Sequence, residues 1–298
     1  MLKNTQNAGI KPTLIKMKLI LLFGLCVAIA SSKSLPKCGM TPIKPDTNED
    51  KIVGGKPAVP YSWPWQVNLC KVFDSDLSHS CSQECGGSII DNEWIMTASH
   101  CQLDTEPGYW VAKIGTYDYR DENEPGEVVF NISQVFTHPN YGQPIAGSND
   151  IALFKVEGKI EFTNHIQPVC VPRNVNDLVH KGKSAYVTGW GNTKENGVES
   201  FKLQQVEVPF LEMNECIKEY GSNHIDETME CAGKKGLDSC QGDSGGPLVT
   251  KHSDGRWFQA GIVSWGSGCA RQGYAGVYSR PSANCDFIAS TIGYDICQ

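Results

Sequence analysis

From Trp65 onward the chain is a succession of short apolar runs cut by Gly, Pro, Asn and Asp clusters, and this rhythm restricts the fold more than any other feature. Examples are Trp65-Gln66-Val67-Asn68-Leu69, Ile151-Ala152-Leu153-Phe154-Lys155-Val156, Ser184-Ala185-Tyr186-Val187-Thr188-Gly189-Trp190 and Gly261-Ile262-Val263-Ser264-Trp265. Many short strands with frequent turns argue for an all-β protein, either sandwich or barrel, and periodicity leaves that choice open. Only the last stretch differs: Ser282 is expected to cap a helix carrying Phe287, Ile288 and Ile292 on one side.

Before the first strand, the chain reads as a secretory leader and a pro-segment. Lys16 and Lys18 form a positive edge, Leu19 to Ala30 is apolar, and Ala28-Ile29-Ala30 is a small-residue cleavage site. Residues 1–30 are therefore expected to be a signal peptide, with Met17 as an alternative start. The apolar run is too short to span a bilayer and no other long one follows, so a secreted protein without a membrane anchor is expected. Residues 31–51, rich in Pro, Lys and Asp, read as an unstructured pro-segment. The remaining chain, about 250 residues, is long enough for a large core. Net charge is −7, and no Lys/Arg-rich run appears, so nucleic acid is not an expected partner.

The sequence has 13 cysteines. Cys26 falls in the leader; Cys38, Cys70, Cys81, Cys85, Cys101, Cys170, Cys216, Cys231, Cys240, Cys269, Cys285 and Cys297 remain, an even set that suits an oxidising compartment. Spacing alone leaves their connectivity open. Metal binding is disfavoured because no paired C-x2-C knuckles appear.

Three motifs carry chemistry. Thr97-Ala98-Ser99-His100-Cys101, Asn149-Asp150-Ile151-Ala152-Leu153 and Gly242-Asp243-Ser244-Gly245-Gly246-Pro247 supply a His, an Asp and a Ser in that order. A serine hydroxyl is a poor nucleophile until a base takes its proton. Histidine titrates near neutral pH and suits that task, and a carboxylate can orient the imidazole and stabilise its cation. Singly, such residues are usually turn or surface groups; together in these settings they point to acyl transfer.

These motifs make the chain resemble the chymotrypsin/trypsin family of secreted serine endopeptidases from about Ile52 to the C-terminus. Departures are slight: Ser99 and Ser148 stand where the family often has Ala and Asn. The resemblance implies two antiparallel six-stranded β-barrels, about 52–168 and about 169–280, with a closing helix at about 282–296 and the site in the cleft between them. It implies His100, Asp150 and Ser244 as the triad, with the N–H groups of Gly242 and Ser244 as the oxyanion hole. It implies disulfides Cys85–Cys101, Cys216–Cys231, Cys240–Cys269 and Cys38–Cys170; Cys70–Cys81 and Cys285–Cys297 are then left as local loops.

The same resemblance makes Lys51-Ile52-Val53-Gly54-Gly55 an activation junction. Cleavage after Lys51 would free an ammonium on Ile52 to pair with Asp243. In the flanking Asn48-Glu49-Asp50, the two acids are expected to protect Lys51 only partly from self-cleavage. Asp238, six residues before Ser244, would floor a trypsin-like pocket for Lys or Arg, with Ser239 beside it and Gly266 and Gly276 as open walls. Ser264-Trp265-Gly266 would pair with substrate backbone. Expected partners are protein or peptide substrates with Lys or Arg before the scissile bond, an activating trypsin-like protease or the enzyme itself, and protein protease inhibitors; a monomer is expected.

Weaker signals remain. Asn131-Ile132-Ser133 is an N-glycosylation sequon. The acidic loop Asp118 to Glu127 sits where some relatives bind calcium, but Thr116 replaces a usual Glu ligand and a solvated loop is the favoured reading; no cofactor is expected. The loop from Cys70 to Cys81 reads either as a border of the cleft or as a stapled hairpin. The rival function is a catalytically inactive homologue acting as a binding protein, against which the intact His100, Asp150, Ser244 and Gly242 argue.

Overall fold

The computed structural model describes residues 37–47, 55–72, 81–102, 109–121, 123–195, 197–234, 236, 238–269 and 271–298, with Cys81 in its backbone alone. The expected leader, the junction at Lys51 and Ile52, and most of the loop between Cys70 and Cys81 lie outside them. Among the described residues, no helix is long and apolar enough to cross a membrane.

Short strands form two sheets. The strands are β1 (Lys56–Pro57), β2 (Gln66–Val72), β3 (Cys81–Ile89), β4 (Trp94–Thr97), β5 (Trp110–Ile114), β6 (Val128–Thr137), β7 (Ala152–Val156), β8 (Ser184–Gly189), β9 (Gln204–Pro209), β10 (Met229–Ala232), β11 (Pro247–Lys251), β12 (Trp257–Trp265) and β13 (Gly276–Ser279). Strands β2-β3-β4-β7-β6-β5 close into an antiparallel barrel, as expected. The second sheet runs β1-β9-β8-β11-β12-β13-β10. An antiparallel bridge from Phe210, just past β9, to Ala232 in β10 brings its ends together. The added edge strand β1 belongs to this second sheet, pairing Lys56 with Gln205, although it lies in the stretch read as the first barrel.

Aromatic packing and buried polar bonds join the halves. Trp63 packs edge-on against Trp65 and Trp257 at 5.9 and 4.9 Å, and tilts onto Tyr186 at 5.6 Å. Such ring pairs each contribute about 0.5–1.5 kcal/mol beyond their buried area. Trp63 Nε1 donates to Gln205 Oε1 (3.0 Å), Thr188 Oγ1 to Gln66 Oε1 (2.5 Å) and Ser88 Oγ to Gln259 Oε1 (2.6 Å). Each buried amide thereby gains a partner in the other half, which burial requires.

Two expectations change. Ser282 does not cap a helix. Pro281 opens a 3-10 turn, Pro281–Asn284, and the helix proper, α2 (Cys285–Ile292), follows with Asn284 at its N-cap. Pro suits a first turn because its missing N–H would be unpaired there anyway. Ile288 is buried, and Phe287 and Ile292 pack against the first core, so the apolar side was read correctly. An unanticipated helix, α1 (Met213–Tyr220), precedes β10.

Nor are residues 37–47 unstructured. Gly39 donates to Pro168 O (2.8 Å) and accepts from Trp257 N (2.9 Å). An ideal Cβ on Gly39 would lie 2.4 Å from Trp257 O, so only glycine allows this approach. Lys56 Nζ meets Asp46 Oδ2 at 2.6 Å, and Gln205 Nε2 donates to Asp46 O at 2.7 Å. The disulfides Cys38–Cys170, Cys85–Cys101, Cys216–Cys231, Cys240–Cys269 and Cys285–Cys297 are all formed. Cys70 is also disulfide-bonded, but the side chain of its expected partner Cys81 lies outside the described residues.

Candidate active site

Antiparallel pairing assembles the first two site residues. β4 pairs with β7, Thr97 opposite Ala152, so the residues just after β4 and just before β7 meet at one end of the barrel. His100 sits in a 3-10 turn, Ser99–Gln102, immediately after β4. Asp150 immediately precedes Ile151 and β7. His100 Nδ1 lies 2.7 Å from Asp150 Oδ2, and His100 N donates to Oδ1 at 2.9 Å. Ser264 Oγ donates to Oδ2 at 2.5 Å. The buried carboxylate thus accepts three hydrogen bonds, which offset the cost of burying its charge.

The two departures from the family pattern reinforce this arrangement. Ser99 Oγ donates to Ile151 O at 2.6 Å, tying the turn of His100 to the residue after Asp150. Ser148 Oγ donates to Asp226 Oδ2 at 2.5 Å, and Thr228 Oγ1 accepts from Asn149 N at 3.0 Å. The second half of the molecule therefore anchors the approach to Asp150.

Ser244 reaches the site from the loop before β11. Its carbonyl accepts from Gly86 N on β3 at 2.7 Å. The next residue, Gly245 (φ +77°), is wedged so that an ideal Cβ would lie 2.1 Å from Thr97 Oγ1 and 3.1 Å from Cys101 Sγ. This close packing places Ser244 beside the turn that carries His100. Gly242 has φ +95°, which side chains rarely tolerate. Among the described residues, the N–H groups of Gly242 and Ser244 donate to no protein acceptor. Two bonds fix this loop: Asn192 N donates to Gln241 O (2.7 Å) and Gln83 Nε2 to Gly242 O (3.1 Å).

A cavity of about 150 Å³ opens beside Ser244, with Asp238, Ser239, Ser264, Gly266 and Gly276 in its lining. Asp238 Oδ1 accepts from Ser239 N at 2.8 Å, and a Cβ on Gly276 would lie 2.3 Å from that oxygen. A side chain at 276 would cover the carboxylate; glycine leaves it facing the cavity. Behind it, Tyr278 is buried and donates to Ser239 Oγ at 3.3 Å. Burial, with the charges of Asp238 and Asp243 nearby, pushes its phenol well above the usual range.

Asp243 faces the other way, into a cavity of about 490 Å³ also lined by Gly55, Gly189 and Asp238. Its Oδ1 accepts from Gly191 N at 3.0 Å and its Oδ2 from Cys240 N at 2.9 Å. Some of the residue meets solvent, but its carboxylate is wedged against Gly189 and Gly191, where a Cβ would approach Oδ1 to 2.2 and 2.7 Å. Desolvation dominates its ionisation, and with Glu199 nearby pushes the carboxyl up to about 6 despite the two backbone donors.

In the acidic loop, Glu124 and Glu127 are engaged by protein groups. Glu124 accepts from Tyr61 Oη (2.5 Å) and Asp118 N (2.9 Å), Thr116 Oγ1 donates to Glu127 (2.7 Å), and Lys113 Nζ stands 3.7 Å from Glu127. These two carboxylates thus have protein partners, a cation among those of Glu127, which disfavours a calcium ion between them. Among the described residues, the His/Cys/Asp/Glu group close enough for a metal is Cys85, His100 and Cys101, whose two sulfurs are bonded to each other.

Sequence reasoning missed Gln83, Tyr278 and the role of Ser264 as a donor to Asp150. All three act through contacts more than 35 residues apart in the chain, and no local spacing announces them. Asn131 is exposed on β6, with Nδ2 donating to Glu157 Oε2 at 3.2 Å.

The profile of one protein family, described as Trypsin, matches residues 52–288. The chain is 35% identical to Ovochymase of Halocynthia roretzi over 260 residues, 86% of this chain and 16% of that protein. It is 38% identical to Serine proteinase stubble of Drosophila melanogaster over 259 residues, 84% of this chain and 32% of the relative. The Suppressor of tumorigenicity 14 protein homolog of Bos taurus is 35% identical over 255 residues, 83% and 29% respectively. The chain thus spans a third or less of the length of these relatives. The family match over most of the sequence, on a fold that gathers the three motifs at one cleft, establishes that this chain belongs to the trypsin family of serine proteases.

Proposed function

We propose that the chain is a secreted serine endopeptidase, made as a zymogen, that cleaves peptide bonds after Lys or Arg. The observation that carries this reading is the cavity shared by Ser244 and Asp238, next to the His100–Asp150 pair at 2.7 Å. A substrate ammonium or guanidinium placed against Asp238 sets the following carbonyl at Ser244. Ser244 Oγ attacks that carbonyl carbon while His100 takes the hydroxyl proton, and Asp150 stabilises the imidazolium. The N–H groups of Gly242 and Ser244 receive the developing oxyanion. The imidazolium then protonates the leaving amine, giving an acyl-enzyme. Water, deprotonated by His100, releases the acid and restores Ser244.

Cleavage after Lys51 supplies the switch. The new ammonium of Ile52 enters the cavity of Asp243, whose raised carboxyl signals a buried acid without enough counter-charge. Gly55, three residues from Ile52, already lines that cavity. Cys38–Cys170 keeps the pro-segment attached. Exposed Asn131 is the glycosylation site in this reading.

The test is to express the uncut chain, treat it with a trace of trypsin, sequence the new N-terminus and assay chromogenic peptides ending in Arg, Lys, Phe or Ala. The expected outcome is an N-terminus at Ile52 and turnover after Arg and Lys alone. Clean cutting with no turnover of any peptide would favour the inactive homologue instead.

A further inference from the structure

Asp226 lies in the second half of the molecule, between α1 and β10, yet its carboxylate holds the backbone that leads into Asp150. Its Oδ2 accepts from the buried hydroxyl of Ser148 at 2.5 Å. Its Oδ1 accepts from Thr228 N at 2.9 Å and from Thr228 Oγ1 at 2.6 Å. A hydroxyl that gives its proton to one partner can still accept from another. Thr228 Oγ1 does so, taking Asn149 N at 3.0 Å. Two relays from one carboxylate therefore end on the two residues immediately before Asp150. We propose that Asp226 is a positioning residue for the reaction, acting through Ser148, Thr228 and Asn149 to fix the direction of Asp150 and, with it, of His100. The inference rests on the peptidase reading.

The local backbone explains why a clamp is needed there. Ile151 N donates to Asn149 O at 2.8 Å, so Asp150 is the apex of a three-residue turn. Rotating the first residue of that turn re-aims the carboxylate. Asn149 has φ +52°, a left-handed conformation that Asn tolerates but that the surroundings must hold. Its own side chain helps: Nδ2 donates to Gln143 O at 2.9 Å and to Asn140 O at 3.3 Å. Both acceptors belong to the same connection between β6 and β7, and move with it. The bond to Thr228 ties Asn149 to the other half of the molecule instead. On the far side of the turn, Ile151 O accepts from Ser99 Oγ at 2.6 Å, so a rotation at Asn149 also reaches the turn of His100. Small displacements matter here, because an error of about 1 Å in the placing of a catalytic group can cost up to about a hundredfold in rate.

The experiment uses the full chain cut at Lys51, an arginyl peptide amide, and the variants Asp226→Ala, Thr228→Val and Thr228→Ser, with rates taken per folded molecule. Thr228→Val keeps the shape and removes the relay; Thr228→Ser keeps the relay and removes a methyl. The expected kcat falls roughly tenfold in Asp226→Ala and in Thr228→Val, with KM changed less than about twofold. Thr228→Ser restores most of the kcat lost in Thr228→Val. Combining Asp226→Ala with Thr228→Val costs little more than Asp226→Ala alone, since one network carries both effects. An unchanged kcat per folded molecule, even with a lower Tm, makes Asp226 a fold anchor only and overturns the proposal. A loss confined to KM, or one that Thr228→Ser shares in full, overturns it as well. The proton of the 2.7 Å bond between His100 Nδ1 and Asp150, followed by NMR, gives a readout without turnover. It is expected to shift or broaden in Asp226→Ala and Thr228→Val but not in Thr228→Ser. That pattern in a chain that hydrolyses no peptide would sink the peptidase reading and still support the positioning role; a resonance unmoved in every variant would overturn the role.

Discussion

At the scale of single residues, the site depends on side chains that serve others. Ser264 donates to Asp150, so Ser264→Ala removes one of three bonds from a buried carboxylate. The expected loss is about tenfold in kcat, with KM changed less, because the bond orients the base rather than the substrate. Asp238 makes the opposite case. In the proposed reading, replacing it with Ser leaves a substrate cation buried without a partner, and kcat/KM on arginyl peptides should fall by about 10²- to 10⁴-fold. An unchanged rate would show that the cation binds elsewhere. Both residues stand in motifs readable from sequence, Asp238 as the expected pocket floor and Ser264 as an expected substrate-backbone contact, but the bond from Ser264 to Asp150 was not foreseen. The spacing of Asp238 from Ser244 is local. Ser264 meets Asp150 across 114 positions, and only the folded chain shows that its hydroxyl turns towards the acid.

Among elements, the strands proved legible and the order of the segment expected to be a pro-segment did not. The runs read as strands are strands, because half-buried pleated surfaces select their residues whatever the partner. The pro-segment has no apolar periodicity of its own, and its partners are Trp257, Gln205 and Cys170, far along the chain. It was legible only as a tether. Breaking that tether with Cys38→Ser and Cys170→Ser should cost about 2–5 kcal/mol. For a domain of this size that corresponds to roughly 5–15 °C in Tm by calorimetry. A Tm unchanged by the double substitution would mean that packing alone holds the segment.

For the molecule as a whole, the proposed zymogen reading makes Asp243 the link between cleavage and stability. Its carboxyl is raised from 3.8 to about 6 in the folded uncut chain, so folding favours the protonated form. This contribution is complete below the unfolded value and is lost as pH rises through 6, at a cost on the order of 2–3 kcal/mol by neutrality. In the proposed reading, a cation delivered by cleavage removes the loss. Cutting after Lys51 should therefore raise Tm more at pH 7.5 than at pH 5; an equal gain at both would disconnect Asp243 from the new terminus. The anchors on either side of the junction add a further consequence. Asp46 and Lys56 are paired, and β1 is locked to β9. Once the bond is cut, the freed end hangs on residues 52–55, which reach about 14 Å at full extension. In the proposed reading, so short a leash holds the ammonium at an effective concentration of about millimolar or more around the cavity of Asp243, and a free peptide with the same first residues would have to be supplied at comparable strength before it could compete.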